Sequence, residues 1–202
     1  MFIEPHFGRK GEEKGQKTGW IEVICGSMFS GKTEELIRRL NRALIAEQHV
    51  EIFKPIIDTR YHDSHVVSHN ENKIRSNPVQ FANDIILLAS NSEVVGIDEA
   101  QFFDDQLVKV CIKLADSGKR VIVAGLDMDF SGKPFGSMPA LMAVAEFVTK
   151  VHAICMVCGD VASFSFRLNP SKEQVFLGEM QEYEARCRRC FTRGMREQKE
   201  NP

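Results

Sequence analysis

Hydrophobic and polar positions follow two alternating patterns from residue 20 to about residue 150. Short apolar runs rich in β-branched residues predict buried strands at 20–25, 50–54, 94–97 and 120–125. Helical spacing of apolar residues predicts helices at 33–47, 83–90 and 104–117, and 139–148 is compatible with one more. Because strands and helices alternate, we expect an α/β fold whose mostly parallel sheet is covered by helices on both faces.

The pattern of hydrophobic and polar positions changes on both sides of residues 20–150 and also within them, at residues 55–77. Residues 1–19 are polar, contain glycine and lack an apolar signal region, so we interpret them as a flexible N-terminal extension. Residues 55–77 show little periodicity and predict a long loop. Beyond the first domain, at 20–150, short strands, turns and cysteine pairs indicate a small second domain at 151–193, followed by a C-terminal tail at 194–202.

The composition of the chain mainly limits the classes of partner that the protein is expected to bind. A chain of 202 residues accommodates one α/β domain and a small appendage. The net charge is −2, from 26 Lys and Arg against 28 Asp and Glu, which offers no large basic surface to nucleic acid or to an anionic membrane. No apolar run approaches the roughly 18 residues that indicate a membrane-spanning helix. We therefore expect neither nucleic acid nor membrane among the partners.

The first predicted strand is followed by a glycine-rich turn that opens the first predicted helix. Two glycines permit a tight turn whose backbone N–H groups surround phosphate oxygens, and the helix adds its positive dipole end. A lysine here places its charge on the terminal phosphates of ATP, and a threonine hydroxyl is a ligand for Mg²⁺. An ordinary glycine turn before a helix is the alternative. The candidate ATP-binding residues are Gly26, Ser27, Met28, Phe29, Ser30, Gly31, Lys32 and Thr33.

Two adjacent acids end the strand predicted at 94–97. In phosphate-loop proteins a carboxylate at such a strand end completes the Mg²⁺ shell, and Asp98 is placed for this role. Glu99 can turn toward the reaction centre at the end of the strand and act as a general base. The alternative is a charged strand terminus that caps the next helix.

Four of the six cysteines form two Cys-x-x-Cys pairs, Cys155 with Cys158 and Cys187 with Cys190. Two such pairs predict a tetrahedral Zn²⁺ site made of four thiolates, with one zinc ion per chain. Since no coordination position stays open, the zinc would be structural. A redox-active pair is the alternative.

The segment between the two pairs is long enough for a hairpin. Alternating residues predict a strand around 164–167, and turn chemistry precedes a return at 174–177. The remaining cysteines, Cys25 and Cys111, lie in apolar periodic segments and are expected in the core. Cysteines paired for metal rather than spread as a disulfide framework indicate a reducing compartment, so we expect a cytoplasmic protein.

Several motifs occur together in a specific order. They are Gly26–Thr33, Lys54–Tyr61, Asp98–Phe103, Ala124–Phe130, Lys133–Gly136 and the four paired cysteines. This ordered set resembles the thymidine kinase family of the zinc-containing, cellular and bacterial type over about residues 20–193. The resemblance implies a RecA-like P-loop domain and a zinc-bound lasso at about 165–185 that closes over the nucleoside. It also implies transfer of the ATP γ-phosphate to the 5′-hydroxyl of thymidine, which gives dTMP for deoxynucleoside salvage and DNA synthesis.

The resemblance further implies roles for individual residues. Glu99 corresponds to the base, Lys32 contributes to catalysis, and Asp58 and Arg60 lie near the transferring phosphate. Gln101 joins the phosphate loop and Asp98 in binding ATP and Mg²⁺. The implied nucleoside-binding residues are Met28, Phe102, Leu126, Phe130, Phe135, Ser165, Gln174, Val175, Phe176, Leu177, Gly178 and Tyr183. A homotetramer and feedback inhibition by dTTP are also implied.

Two other functions compete with this interpretation. A nucleic-acid-stimulated RecA-like ATPase with a zinc hairpin would share the acidic motif at Asp98 and Glu99, but the chain is short for two motor domains and has no basic stripe. A nucleotide-binding scaffold without catalysis would not need Lys32, Thr33 and both acids.

Overall fold

A computed structural model describes residues 18–56, 65–67, 73–169 and 182–200, with the backbone alone at 65–67 and 73–75. The strands are β1 Trp20–Gly26, β2 Val50–Pro55, β3 His65–Val67, β4 Lys73–Arg75, β5 Asn77–Val79, β6 Val94–Ile97, β7 Arg120–Leu126, β8 Phe147–Lys150, β9 Ala153–Ile154, β10 Val161–Ala162, β11 Phe164–Arg167 and β12 Tyr183–Arg186. The helices are α1 Lys32–Ile45, α2 Asp84–Leu88, α3 Leu107–Asp116, α4 Met138–Val144 and α5 Arg188–Glu200, and a single 3₁₀ turn spans Ala100–Phe102.

A six-stranded parallel sheet organises the larger part of the protein. Its order is β5-β2-β6-β7-β1-β8, and every neighbouring pair is parallel. The central strands β6 and β7 are almost completely buried, as expected for apolar β-branched runs covered on both faces. The fold class predicted from the alternation of strands and helices is confirmed.

Each face of the sheet carries its own apolar core. On one face, α1 buries Leu36 and Leu40 against strand residues that include Ile24 and Ile122. The absence of a side chain at Gly96 permits this approach, since a Cβ there would lie 2.8 Å from a methyl group of Leu40. Helices α2, α3 and α4 cover the opposite face. The carboxyl ends of β1, β6 and β7 consequently meet at one edge of the sheet, where ligands bind in open α/β folds.

Two predictions about elements were wrong in part. The helix compatible with 139–148 ends at Val144 because Ala145 is extended, with a ψ of 140°, and β8 begins at Phe147. Strand β8 pairs with β1 along the sheet, which a local pattern does not reveal. The loop expected at 55–77 contains the antiparallel pair β3–β4 and the first residue of β5.

The cysteine-containing region forms two small antiparallel pairs and a final helix. Strand β11 pairs with β12, so the strand beside 164–167 is Tyr183–Arg186, while the return expected at 174–177 lies outside the described residues. Residues 194–200 of the expected tail continue helix α5. The expected extension 1–19 lies outside the described residues except for Thr18 and Gly19. Among the described residues, no helix is long and apolar enough to cross a membrane.

Candidate functional site

The turn between β1 and α1 has the backbone conformation of a phosphate-binding loop. Gly26, Phe29 and Gly31 all have positive φ angles, of 153°, 62° and 81°. A Cβ at Gly26 would lie 2.3 Å from the carbonyl oxygen of Val151, so only glycine fits there. The turn places the N-terminus of α1, which begins at Lys32, at the carboxyl edge of the sheet.

Lys32 lies inside this loop, where its Nζ donates a hydrogen bond of 2.8 Å to the carbonyl oxygen of Ser27. Burial lowers the pKa of Lys32, while the charges of Glu99 and Asp98 oppose that shift. The ammonium group is therefore held close to both acids at the sheet edge. A phosphate group entering the loop would offer it stronger acceptors than a carbonyl oxygen.

Asp98 follows β6 and faces the first turn of α1. The hydroxyl of Thr33 donates to Asp98 Oδ2 at 3.2 Å. Burial, and secondarily the charge of Glu99, raises the pKa of Asp98 to about 7. A buried acid and a hydroxyl that converge in this way offer two oxygen ligands to a hard divalent cation, and a cation would stabilise the ionised form of Asp98.

Glu99 leaves the line of the strand. Its φ and ψ of 51° and 41° are left-handed, which is uncommon for a residue other than glycine. Its N–H donates to Asp98 Oδ1 at 3.0 Å, and its Oε2 accepts a hydrogen bond of 2.6 Å from Gln101 Nε2. Glu99 therefore contacts Asp98 through its backbone and Gln101 through its side chain, at the same edge of the sheet.

Apolar side chains lie beside these acids. Phe102 and Phe135 contact each other edge to face, with ring centroids 5.7 Å apart. Leu126 ends β7, and its N–H donates to the side chain of Gln101. On the other side, the N–H of Met28 donates to Ser165 Oγ at 3.0 Å, which ties the phosphate loop to β11. The structure thus gathers these predicted nucleoside residues around the phosphate loop and its acids.

A second aromatic group surrounds a buried arginine. The guanidinium of Arg167 lies 3.8 Å from the ring centroid of Phe130. Its Nε and Nη2 donate to the hydroxyl of Tyr183 at 3.0 and 2.7 Å. Arg167 is 3% exposed and connects two predicted nucleoside residues. No motif in the sequence marks Arg167, although it lies two residues after Ser165 and hence on the same side of the strand.

Asp127 is a further residue that sequence reasoning missed. It follows Leu126 at the end of β7, and its Oδ2 lies 2.6 Å from Nζ of Lys150. Oδ1 of Asp127 and Oγ of Ser27 are buried without a hydrogen-bond partner among the described residues. Gly26 and Leu126 form the last pair of β1 and β7. Ser27 and Asp127, the next residue after each strand, therefore leave the sheet at equivalent positions. An acid directly after an apolar strand was the available signal, as at Asp98.

The four paired cysteines converge on one point, with all their sulfur atoms within 4.8 Å of one another. Burial raises the pKa of Cys155, but hydrogen bonds from the backbone of Cys187, Val157 and Cys158 outweigh it and bring the pKa to about 6. Burial and the neighbouring sulfurs raise the pKa of Cys190 to about 12. Four sulfur ligands this close fit a soft divalent ion, which would relieve the repulsion among thiolates.

Some predicted site residues cannot be placed. Asp58 and Arg60 lie outside the described residues, as do the five lasso residues Gln174, Val175, Phe176, Leu177 and Gly178. The two predicted core cysteines, Cys25 and Cys111, are both buried. Burial raises the pKa of Cys111 to about 12, as expected for a thiol enclosed by apolar side chains.

A phosphate loop after β1, a carboxylate pair after β6 at the same edge of the sheet and an attached four-cysteine unit define a P-loop nucleotide-binding protein of the α/β class. The model of the thymidine kinase family matches residues 19–191. The chain belongs to the thymidine kinase family.

Individual relatives cover nearly the whole chain. The thymidine kinase of Rhodothermus sp. (strain ITI 518) is 63% identical over 177 residues, which are 88% of this chain and 83% of that protein. The thymidine kinase of Bacteroides fragilis (strain YCH46) is 56% identical over 99% of this chain and 98% of its own length. That of Bacteroides thetaiotaomicron is 58% identical over 96% of this chain and 94% of its own length. These relationships do not favour a nucleic-acid-stimulated ATPase.

Proposed function

We propose that the protein is an ATP-dependent thymidine kinase, which transfers the γ-phosphate of ATP to the 5′-hydroxyl of thymidine and forms dTMP. The observation that carries this proposal is the family match over residues 19–191. The convergence of the phosphate loop with Asp98 and Glu99 at one sheet edge supports it, because phosphoryl transfer needs phosphate positioning, a metal ligand and a base in one place.

ATP binds with its phosphates in the turn that spans Gly26–Thr33. The N–H groups of the turn and of the first residues of α1 surround the phosphate oxygens, and Lys32 leaves the carbonyl of Ser27 to bind them. Thr33 and Asp98 would hold Mg²⁺, since both present oxygen ligands that already approach each other. The ion would neutralise phosphate charge during transfer.

Glu99 is the candidate base for the 5′-hydroxyl proton. Its carboxylate lies at the same sheet edge as the phosphate loop, which supports this role. We also propose Asp58 and Arg60 as catalytic residues, on the basis of the resemblance to the family. Gln101 belongs to the proposed nucleotide-binding set on the same basis.

Thymidine binds between the aromatic residues and the phosphate loop. Phe102 and Phe135 with Met28 and Leu126 provide apolar walls, as a flat pyrimidine requires. Phe130 of the larger unit, together with Ser165 and Tyr183 of the second unit, would bound the site on the other side. Backbone groups of Gln174–Gly178 would read the edge of the base. These assignments combine the observed neighbourhood with the family resemblance.

Further properties follow as proposals from the family and from the cysteine geometry. The four clustered sulfurs would hold one structural Zn²⁺, at the centre of a unit spanning 151–193 beside a nucleotide-binding domain at 20–150. We also propose a homotetramer, inhibition by dTTP and no nucleic-acid partner. Six free cysteines support a reducing, cytoplasmic location.

A three-way assay tests the proposed activity. ATP consumption is measured with thymidine, with single-stranded DNA and with neither, and the products are separated to identify dTMP. We expect ADP and dTMP to form in equal amounts only when thymidine is present. ATP consumption that responds to DNA but not to thymidine would overturn the proposed function, and so would the absence of any thymidine-dependent turnover.

A further inference from the structure

The side-chain amide of Gln101 bridges the proposed base and the end of the neighbouring strand. Its Nε2 donates to Glu99 Oε2 at 2.6 Å, and its Oε1 accepts a hydrogen bond of 2.9 Å from the N–H of Leu126. Gln101 is 3% exposed, so water does not compete strongly for either contact. Both ends of the amide are thus used within the protein before any substrate arrives.

The hydrogen-bonding partners of Gln101 determine the orientation of its side-chain amide. Flipping it would turn the carbonyl oxygen of Gln101 toward the carboxylate of Glu99 and the NH₂ group toward the N–H of Leu126. The first contact would then pair two acceptors and the second two donors, so both hydrogen bonds would be lost. The orientation in which Gln101 donates to Glu99 is therefore the only one that satisfies both partners.

Two glycines leave the space that Gln101 occupies. A Cβ at Gly125 would lie 2.8 Å from Gln101 Oε1, and a Cβ at Gly136 would lie 2.4 Å from the backbone oxygen of Gln101. Gly136 also has a φ of 50°, which disfavours other residues. The surrounding chain therefore holds the side chain and the backbone of Gln101 in place.

Glu99 needs such support because its backbone is left-handed and its carboxylate lies beyond the regular strand. A carboxylate on a flexible side chain must be held within a fraction of an ångström to act efficiently as a base. We propose that Gln101 is the positioning residue of Glu99: it acts on phosphoryl transfer through the base and not through a contact with ATP. The inference rests on the proposed thymidine kinase activity and revises the nucleotide-binding role that the family resemblance implies for Gln101.

Two substitutions separate the contacts of Gln101. Gln101→Glu keeps an oxygen for the N–H of Leu126 but replaces the donor to Glu99 by an acceptor. Gln101→Met fills a similar volume and removes both contacts. We expect both variants to lower kcat by about 10- to 100-fold, while the KM values for ATP and thymidine change less than about threefold. Thermal unfolding checks that each variant folds, and Gln101→Glu provides the test if Gln101→Met does not.

A double-mutant cycle with Glu99→Gln distinguishes positioning from a general structural effect. If Gln101 acts through Glu99, the variant carrying both Gln101→Met and Glu99→Gln is no slower than Glu99→Gln alone. Multiplying losses in the double variant would overturn the inference, as would a rise in the KM for ATP at unchanged kcat. The unsubstituted enzyme is assayed alongside. Its failure to phosphorylate thymidine would refute the proposed function itself, whereas an active enzyme with fully active Gln101 variants refutes only the role of Gln101.

Discussion

At the scale of single residues, two adjacent acids differ in their side-chain hydrogen-bond partners. Asp98 stays at the end of β6, accepts the hydroxyl of Thr33 and has a pKa raised by burial to about 7. Glu99 follows with a left-handed backbone, and its side chain contacts Gln101. These contacts support the proposal that Asp98 binds a cation beside the phosphate loop and that Glu99 accepts a proton.

Glu99→Gln tests this division of roles. Glutamine keeps the size of the side chain but cannot accept the 5′-hydroxyl proton, so kcat should fall about 10²- to 10⁴-fold. The KM for ATP and the thermal unfolding midpoint should stay nearly unchanged, because the phosphate loop and Asp98 remain. Steady-state kinetics at neutral pH measure the effect. Glu93→Gln, at an exposed position before β6, is the matched control, with activity within about twofold. Near-normal turnover of Glu99→Gln would exclude Glu99 as the base.

Motif spacing predicted part of this arrangement of residues, and the remaining contacts were seen only in the structure. The phosphate loop and the acids were predictable because their chemistry depends on residues close together in the chain. The contacts of Gln101 with Leu126 and of Met28 with Ser165 join residues 25 and 137 positions apart. Such contacts depend on how elements pack, so local patterns cannot predict them, and the role of Gln101 emerged only from the structure.

The hairpin of β11 and β12 is the element that connects the cysteine unit to the nucleoside side of the site. All four residues of β11 are buried, including Ser165 and Arg167, although strands at an edge usually expose alternate residues. Ser165 contacts the phosphate loop, and Arg167 contacts Phe130 and Tyr183. The paired strands therefore connect these aromatic residues to the phosphate loop.

Replacing Arg167 should selectively weaken nucleoside binding. In Arg167→Lys an ammonium group cannot both stack on Phe130 and donate two hydrogen bonds to Tyr183, because it lacks the planar fork. We expect the KM for thymidine to rise about tenfold, which corresponds to about 1.4 kcal/mol, while the KM for ATP stays within about twofold. Tyr183→Phe, which keeps the ring and loses the hydroxyl, should act in the same direction.

The matched control is Arg193→Lys, on the exposed side of α5 with a side chain that is 63% exposed. It should leave both KM values unchanged. Equal increases in the KM values for thymidine and ATP in Arg167→Lys would contradict a selective role of the hairpin in nucleoside binding.

Across the whole molecule, a buried ion-pair network joins two strands of the central sheet to helix α1. Glu22 on β1 accepts from Arg39 on α1 at 2.9 Å and from Arg120 on β7 at 2.6 Å. Glu22 and Arg39 are completely buried, and Arg120 is 3% exposed. Because one buried carboxylate serves two guanidinium groups, its replacement by a neutral side chain would weaken the charge compensation of both.

Glu22→Gln should therefore destabilise the fold strongly. We expect the free energy of unfolding to fall by about 3–5 kcal/mol, measured by denaturant unfolding with an unchanged slope. Arg38→Ala is the control, since Arg38 pairs with Glu35 with 47% of its side chain exposed and should cost at most about 1 kcal/mol. A loss below about 1 kcal/mol in Glu22→Gln would contradict the importance of this network.

At the scale of the whole molecule, the features that could be predicted are those that arise from a repeated sequence pattern. Alternating strands and helices predicted the parallel sheet, and two spaced cysteine pairs predicted a cluster that the structure brings within 4.8 Å. The packing of the two units against each other was not predictable. Phe29 of the phosphate loop packs on the core around the cysteines, and Gly132 lies where a Cβ would touch Phe191. The contact of Phe29 supports a proposed coupling between the cysteine cluster and the phosphate loop.

Zinc loss should consequently affect both substrates. We expect purified protein to contain one Zn²⁺ per chain by elemental analysis, and Cys187→Ser to lose the zinc and lower the thermal unfolding midpoint. Because Phe29 packs on the cysteine core, this variant should raise the KM for ATP as well as that for thymidine, unlike Arg167→Lys. Cys111→Ala, in the core of the larger unit, is the control and should keep its zinc.

Protein without zinc, or with a disulfide at either pair, would refute the metal site. A zinc-free variant with an unchanged KM for ATP would refute the coupling, because the contact at Phe29 would then carry no influence on the phosphate loop.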